Sequence, residues 1–243
     1  MSVWTVFIAA LITAIFTGLG ALPFLFFSDI KGSFLGAANA AAAGLMLGAS
    51  LGLIYEGFQI SGIRLLVGIG LGILLIIIAR YFLDGHDPDF AELEGNADAK
   101  KILLIVGIMT VHSFAEGIGV GVSFGEGQNL GTLISTAIAI HNIPEGLAIS
   151  LVLIPRGSSV WKAAGWSIFS SLPQPIMAVP AFLFVLAFKP FLPVGLGLAA
   201  GAMIWMVFSE MLPEAREEAS LPTVISVVVL ATLGMIAFQL FIG

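Results

Sequence analysis

The run GTLISTAIAIHNIPEGLAISLVLI, residues 131–154, decides the fold of this chain. It is apolar on both sides of a central patch made of His141, Asn142, Pro144 and Glu145. A bilayer core of about 30 Å is crossed by roughly 20 residues of helix, because a spanning helix satisfies every backbone polar group internally. The run therefore reads as a membrane span with ionisable groups at mid-depth. Each such group costs roughly 2.5 kcal/mol or more on insertion scales, so it faces a bundle interior and has a function there. A near copy, His112-Ser113-Phe114-Ala115-Glu116-Gly117, stands in the preceding apolar run.

Outward from this pair the composition agrees. Of 243 residues 59% are hydrophobic and only 10% charged, and the mean hydropathy is +1.11. No soluble domain of that size hides so much apolar surface. The fold class expected is an all-α polytopic membrane protein: one transmembrane domain over 1–243, with eight spans near 3–27, 34–55, 62–82, 102–124, 131–154, 160–188, 191–212 and 222–242. Run length excludes a β-barrel. The first segment exceeds a signal-peptide core and has no basic residue before it, so it is kept as a span. The absence of Cys removes disulfides and thiolate ligands.

Nine basic residues set the orientation. Lys31, Arg80, Lys100, Lys101, Arg156, Lys162 and Arg216 fall in or beside odd-numbered connections, against Arg64 and Lys189 on the other side. The bias places odd connections in the cytoplasm and both termini outside, with the cell (inner) membrane as the expected location. Most acidic residues lie in connections: Asp84, Asp87, Asp89, Glu92, Glu94 and Asp98 in 83–101, and Glu214, Glu217 and Glu218 near the seventh. Glu56 sits at an outer end, and only Glu116, Glu145 and Glu210 fall within or at the margin of spans. The net charge of −6 is thus mostly loop charge and gives no reason to expect a nucleic acid partner; the lipid bilayer is the expected surrounding.

In both motifs the imidazole and carboxylate are four residues apart, on one helix face. Spans four and five run antiparallel around a short outer loop near 125–130, so the two faces meet at one depth. His112, Glu116, His141 and Glu145 form a two-nitrogen, two-carboxylate set suited to Zn²⁺, Fe²⁺, Mn²⁺ or Cd²⁺ and too rich in nitrogen for Ca²⁺ or Mg²⁺. A buried His–Glu network holding two helices together is the structural alternative, and the repetition of the pair argues against it. Pro144 has no N–H to offer the Ile140 carbonyl and kinks its span. Gly117 and Gly146 permit close helix approach. Span six carries Pro173, Gln174, Pro175 and Pro180, a disrupted helix of the sort that lines a cavity, with Gln174 its one strongly polar mid-span group.

Transport is favoured over catalysis by a short internal similarity. Ala42-Ala43-Gly44-Leu45-Met46 in span two and Ala199-Ala200-Gly201-Ala202-Met203 in span seven run in opposite directions, as in transporters whose inverted repeats flank a midplane site. Small-residue stripes there suit packing within one bundle or between two copies, so a homodimer is an expected assembly. The rivals are an intramembrane metal-dependent enzyme, which lacks a His-Glu-x-x-His motif here, and a proton-coupled transporter of an organic substrate, which would show no metal dependence.

The paired His-x-x-x-Glu-Gly motifs, above all HNIPEG at 141–146, with eight spans and an acidic loop before span four, resemble the ZIP (Zrt-/Irt-like protein) family of divalent metal transporters, in its GufA-like branch. The resemblance implies a three-two-three arrangement with inverted repeats, outward termini, and import of a divalent cation, zinc foremost. The metal is cargo, with no catalytic cofactor and no enzymatic activity. It implies His112, Glu116, His141 and Glu145 as central ligands, with Ser113 and Asn142 in the positions after each His. Met46 falls where the family has a span-two methionine near the metal, and Gln174 where relatives place a span-six glutamate. Glu210, at the inner end of span seven, falls where an exiting ion is handed on. His86, among Asp84, Asp87 and Asp89, suits capture of that ion, although a single His also fits a plain solvated loop. Two departures matter: Ser113 and Gln174 stand where members with a binuclear centre have Asn or Asp and Glu. One strong metal site is therefore expected, with any second ion held weakly.

Overall fold

A computed structural model describes residues 1–27, 32–85 and 97–242 of the chain. Among them the regular elements are all helical: α1 (Val3–Leu19), α2 (Gly32–Gly85), α3 (Ala97–Glu126), α4 (Gln128–Leu153), α5 (Val160–Ser171), α6 (Pro173–Ala187), α7 (Leu192–Met206), α8 (Leu212–Glu218) and α9 (Leu221–Ile242). Lys31, His86, Asp87, Asp89, Glu92 and Glu94, with the roles expected of them, lie outside the described residues.

The polarity of the bundle is reversed relative to a protein in water. Ile63, Leu66 and Val67 on α2 and Ile225, Leu230 and Leu233 on α9 face outward, whereas His112, Glu116, His141, Glu145, Ser167 and Gln174 are buried. Six stretches among the described residues are long and apolar enough to cross a bilayer. Apolar surface turned outward over such lengths, with ionisable groups inward, is the arrangement a hydrocarbon solvent selects. The protein is an all-helical integral membrane protein. Several buried serine hydroxyls on its helices are satisfied locally, as when Ser150 Oγ donates to the Gly146 carbonyl at 2.7 Å and Ser123 Oγ to that of Gly119 at 2.6 Å.

Several helix boundaries differ from expectation. Spans two and three are not separated by a loop over 56–61: helix α2 covers 54 residues and departs from helical geometry at Ser61 (φ −166°, ψ 105°). Straight, a helix of that length would run about 80 Å. It folds back instead, since a Cβ on Gly57 would lie 2.6 Å from Leu65 Cδ1. Small residues at 57, 61 and 62 allow the reversal without a loop. Span six is two helices, α5 and α6, meeting at Leu172 and Pro173, where the proline opens a new first turn. The helix of span seven continues past 212: α7 passes through a π-helical turn, Val207–Met211, into α8. That places Glu214, Glu217 and Glu218 on a helix, where a loop was expected.

The small-residue stripes are used inside one bundle. A Cβ on Gly197 or Gly201 of α7 would meet the Leu65 or Ile69 carbonyl of α2 at 2.3 Å, and one on Gly44 would meet the Val228 carbonyl of α9 at 2.4 Å. Backbones this close gain dispersion contacts that lipid tails cannot supply.

Candidate metal centre

Helices α3 and α4 are joined by Gly127 alone and pack against each other in antiparallel fashion. Residues four apart rise one above the other on a helix, so His112 and Glu116 from α3 meet His141 and Glu145 from α4. The Nε2 atom of His112 is 3.2 Å from Glu116 Oε1 and 3.1 Å from Glu145 Oε1. That of His141 is 2.5 Å from Glu116 Oε1 and 3.9 Å from Glu145 Oε1. One ligand atom from each residue lies within 4.8 Å of the others, and all four residues are buried. In a tetrahedral zinc site with ligands near 2.05 Å, neighbouring ligand atoms are about 3.3 Å apart. The observed separations bracket that value, so small shifts would seat an ion.

The surrounding layer is polar and asymmetric. Gln174 Nε2, from α6, donates to Glu116 Oε2 at 2.5 Å. Asn142 Nδ2 donates to the Thr13 carbonyl of α1 at 2.9 Å and to Gln174 Oε1 at 3.3 Å. Three buried atoms beside this network have no hydrogen-bond partner: His112 Nδ1, His141 Nδ1 and Asn142 Oδ1.

Each glycine that follows a centre glutamate seats a different neighbour. A Cβ on Gly117 would lie 2.6 Å from the Gln174 carbonyl of α6, and one on Gly146 would lie 1.6 Å from the Thr17 carbonyl of α1. Close approach was expected of these glycines, and the partners are α6 and α1.

Of the other residues singled out in the sequence, Ser113 is buried beside His112, and Met46 is buried in the main apolar core with Ala42, Ala43 and Met203. Glu210 stands apart from the centre, in the π-helical turn, where Arg80 Nη1 donates to its Oε1 at 2.5 Å. It lines a cavity of about 250 Å³ together with Asn39, Arg156, Glu214, Glu217 and Glu218. A second cavity, of about 480 Å³, lies farther along the same α2 and α4 helices, beside Tyr55, Glu56, Leu130 and Ile134. Sequence reading missed Thr13 and Thr17 of α1, both buried. Their signal was a pair of hydroxyls four residues apart, on one helix face, in the middle of a span that is apolar around them.

A buried two-His, two-Glu cluster between adjacent helices of an integral membrane protein is a group that could hold a metal ion. Comparison with known proteins sharpens that class. The family described as ZIP Zinc transporter matches residues 86–241. The chain is 48% identical over 243 residues to the putative zinc transporter At3g08650 of Arabidopsis thaliana, covering 98% of this chain and 39% of that protein. It is 32% identical over 226 residues to the zinc transporter GufA of Myxococcus xanthus, covering 86% of this chain and 87% of that one. With ZIPB of Bordetella bronchiseptica it shares 33% over 236 residues, 91% of this chain and 74% of the other. The chain belongs to the ZIP zinc transporter family. It spans well under half the length of the Arabidopsis relative.

Proposed function

We propose that this protein carries divalent transition-metal cations, zinc foremost, across the membrane and into the cytoplasm through the centre formed by His112, Glu116, His141 and Glu145. The observation that carries the reading is the convergence of four buried ligand atoms within 4.8 Å of one another, in a solvent where such groups are costly unless used. The donor set is borderline in softness, which suits zinc and admits iron, manganese and cadmium. A cavity lined by Glu210, Glu214, Glu217 and Glu218 at one end of the α2 and α4 pair supports an acidic exit for a cation, and Glu56 stands in the cavity at the other end.

In this reading the chain crosses the bilayer eight times: α1, the two halves of α2 about Ser61, α3, α4, α5 with α6, α7 through α8, and α9. The central pair α3 and α4 sits between two sets of three. The matching seats of Gly117 on Gln174 and Gly146 on Thr17 support inverted repeats that relate α3 with α6 to α4 with α1. The excess of basic residues in odd connections supports outward termini.

Uptake of radioactive zinc by proteoliposomes tests the function directly. Saturable flux is expected; its absence for zinc, iron, manganese and cadmium alike, in folded and correctly inserted protein, sinks the proposal. Because Gln174 brings no charge and is already bound to Glu116, one tightly held zinc per chain is expected. Metal analysis of the purified protein giving two ions of similar affinity would defeat that expectation. Glu210→Gln is expected to slow uptake several-fold while leaving zinc affinity at the centre unchanged, as an exit residue should; equal rates for variant and wild type would remove Glu210 from the path.

A further inference from the structure

We infer that Thr13, on α1, is a positioning residue for the metal centre: its hydroxyl holds the Gln174 amide so that the N–H₂ end grips Glu116. The inference rests on the proposed transport site and adds to it a residue from a helix that supplies no ligand.

The orientation can be worked out atom by atom. The Thr13 main-chain carbonyl can only accept, so the end of the Asn142 amide 2.9 Å from it must be the nitrogen. That nitrogen also lies 3.3 Å from one end of the Gln174 amide, which must then be the oxygen. The Thr13 hydroxyl points at the same oxygen in a short hydrogen bond, and its proton is shared with the Ala10 carbonyl at 2.6 Å. Two donors therefore fix Gln174 Oε1, and Nε2 is left to donate to Glu116 Oε2 at 2.5 Å. Turned over, the amide would set its oxygen against the carboxylate and its nitrogen against the Asn142 nitrogen. Thr13, Asn142 and Gln174 are all buried, so no water replaces a lost partner. With Oε2 held, Glu116 presents Oε1 to the two imidazoles.

Groups bonded directly to a metal ligand, as Gln174 is to Glu116, are worth 10–100-fold in metal affinity when removed, and Thr13, which acts through Gln174, falls at the low end of that range. Thr13→Val keeps the shape and deletes the donor, while Thr13→Ser keeps the donor and deletes a methyl. The experiment measures the zinc dissociation constant of purified protein by competition with a fluorescent chelator, together with KM and kcat of uptake, with His112→Ala alongside. Thr13→Val is expected to weaken zinc binding at least ~10-fold and raise KM with little change in kcat, and Thr13→Ser to stay within about 3-fold of wild type. A merely structural role would lower kcat through lost folded protein at unchanged KM, and that result overturns the inference, as does wild-type affinity in Thr13→Val. Unaltered zinc affinity in His112→Ala would instead overturn the reading of the centre itself, and the role of Thr13 with it.

Discussion

Replacing Glu116 by alanine is expected to lower saturable zinc uptake by more than about 100-fold, since loss of an outer partner alone costs 10–100-fold and the proposed site makes Glu116 a direct ligand. Its Oε1 is 2.5 Å from His141 Nε2 and 3.2 Å from His112 Nε2. It is the one carboxylate in close contact with both imidazoles and is also gripped by Gln174. Alanine removes a donor oxygen and half of the negative charge that offsets a dication in a medium where uncompensated charge is expensive. It also leaves the Gln174 amide nitrogen buried without a partner, which adds a cost in stability of about 1–3 kcal/mol. Uptake must therefore be normalised to folded protein, judged by a monodisperse elution profile in detergent. Flux within a few-fold of wild type at equal folded amounts would mean that cations do not pass through the centre.

Gly146→Ala is expected to destabilise the protein by about 3 kcal/mol or more, at or above the upper end of ordinary overpacking. The added carbon would sit 1.6 Å from the Thr17 carbonyl oxygen and 2.7 Å from its carbon, atoms of a packed backbone that no rotamer change moves aside. Across the same contact, a Cβ on Gly20 would meet the Leu147 nitrogen at 2.2 Å. Helices α1 and α4 must part, and the displacement falls one residue from Glu145 and at the helix that carries Thr13. A fall in unfolding midpoint on the order of 5–10 °C follows from the size of the chain, with loss of uptake. The control is Gly165→Ala: nothing lies within 4 Å of the added carbon there, and alanine is the better helix former by about 1 kcal/mol. Thermal unfolding followed by the fluorescence of the four tryptophans separates the two variants; equal midpoints would show that the α1 and α4 contact gives way freely.

Much of the site was legible in the sequence because its determinants are local. Apolar run length specifies a span, and a separation of four residues places His and Glu on one face whatever surrounds them, so the four centre residues could be named without coordinates. The glycines after Glu116 and Glu145 announced close packing for the same reason. Their partners were not legible: which backbone occupies the space beside Gly117 or Gly146 depends on how non-adjacent spans arrange themselves. Gln174 read as a weak polar substitute for a glutamate, whereas the fold makes it a hydrogen-bond donor to Glu116. Thr13 was not singled out in the sequence at all, since nothing near it in the chain points at residues 142 and 174.

The connections followed the same division. The span bounds left a loop over 56–61, yet Ser61 alone departs from helical geometry there. The extension of span seven into α8 was hidden by three glutamates that composition assigns to solvent. Hydropathy and helical periodicity, which are properties of neighbours in sequence, determined by themselves that this chain is a helical membrane protein with two His–Glu faces at one depth. Only the tertiary structure decided that α1 and α6 close over those faces, because contacts between distant spans are set by side-chain shape and by hydrogen bonds that hydrocarbon leaves without competition from water.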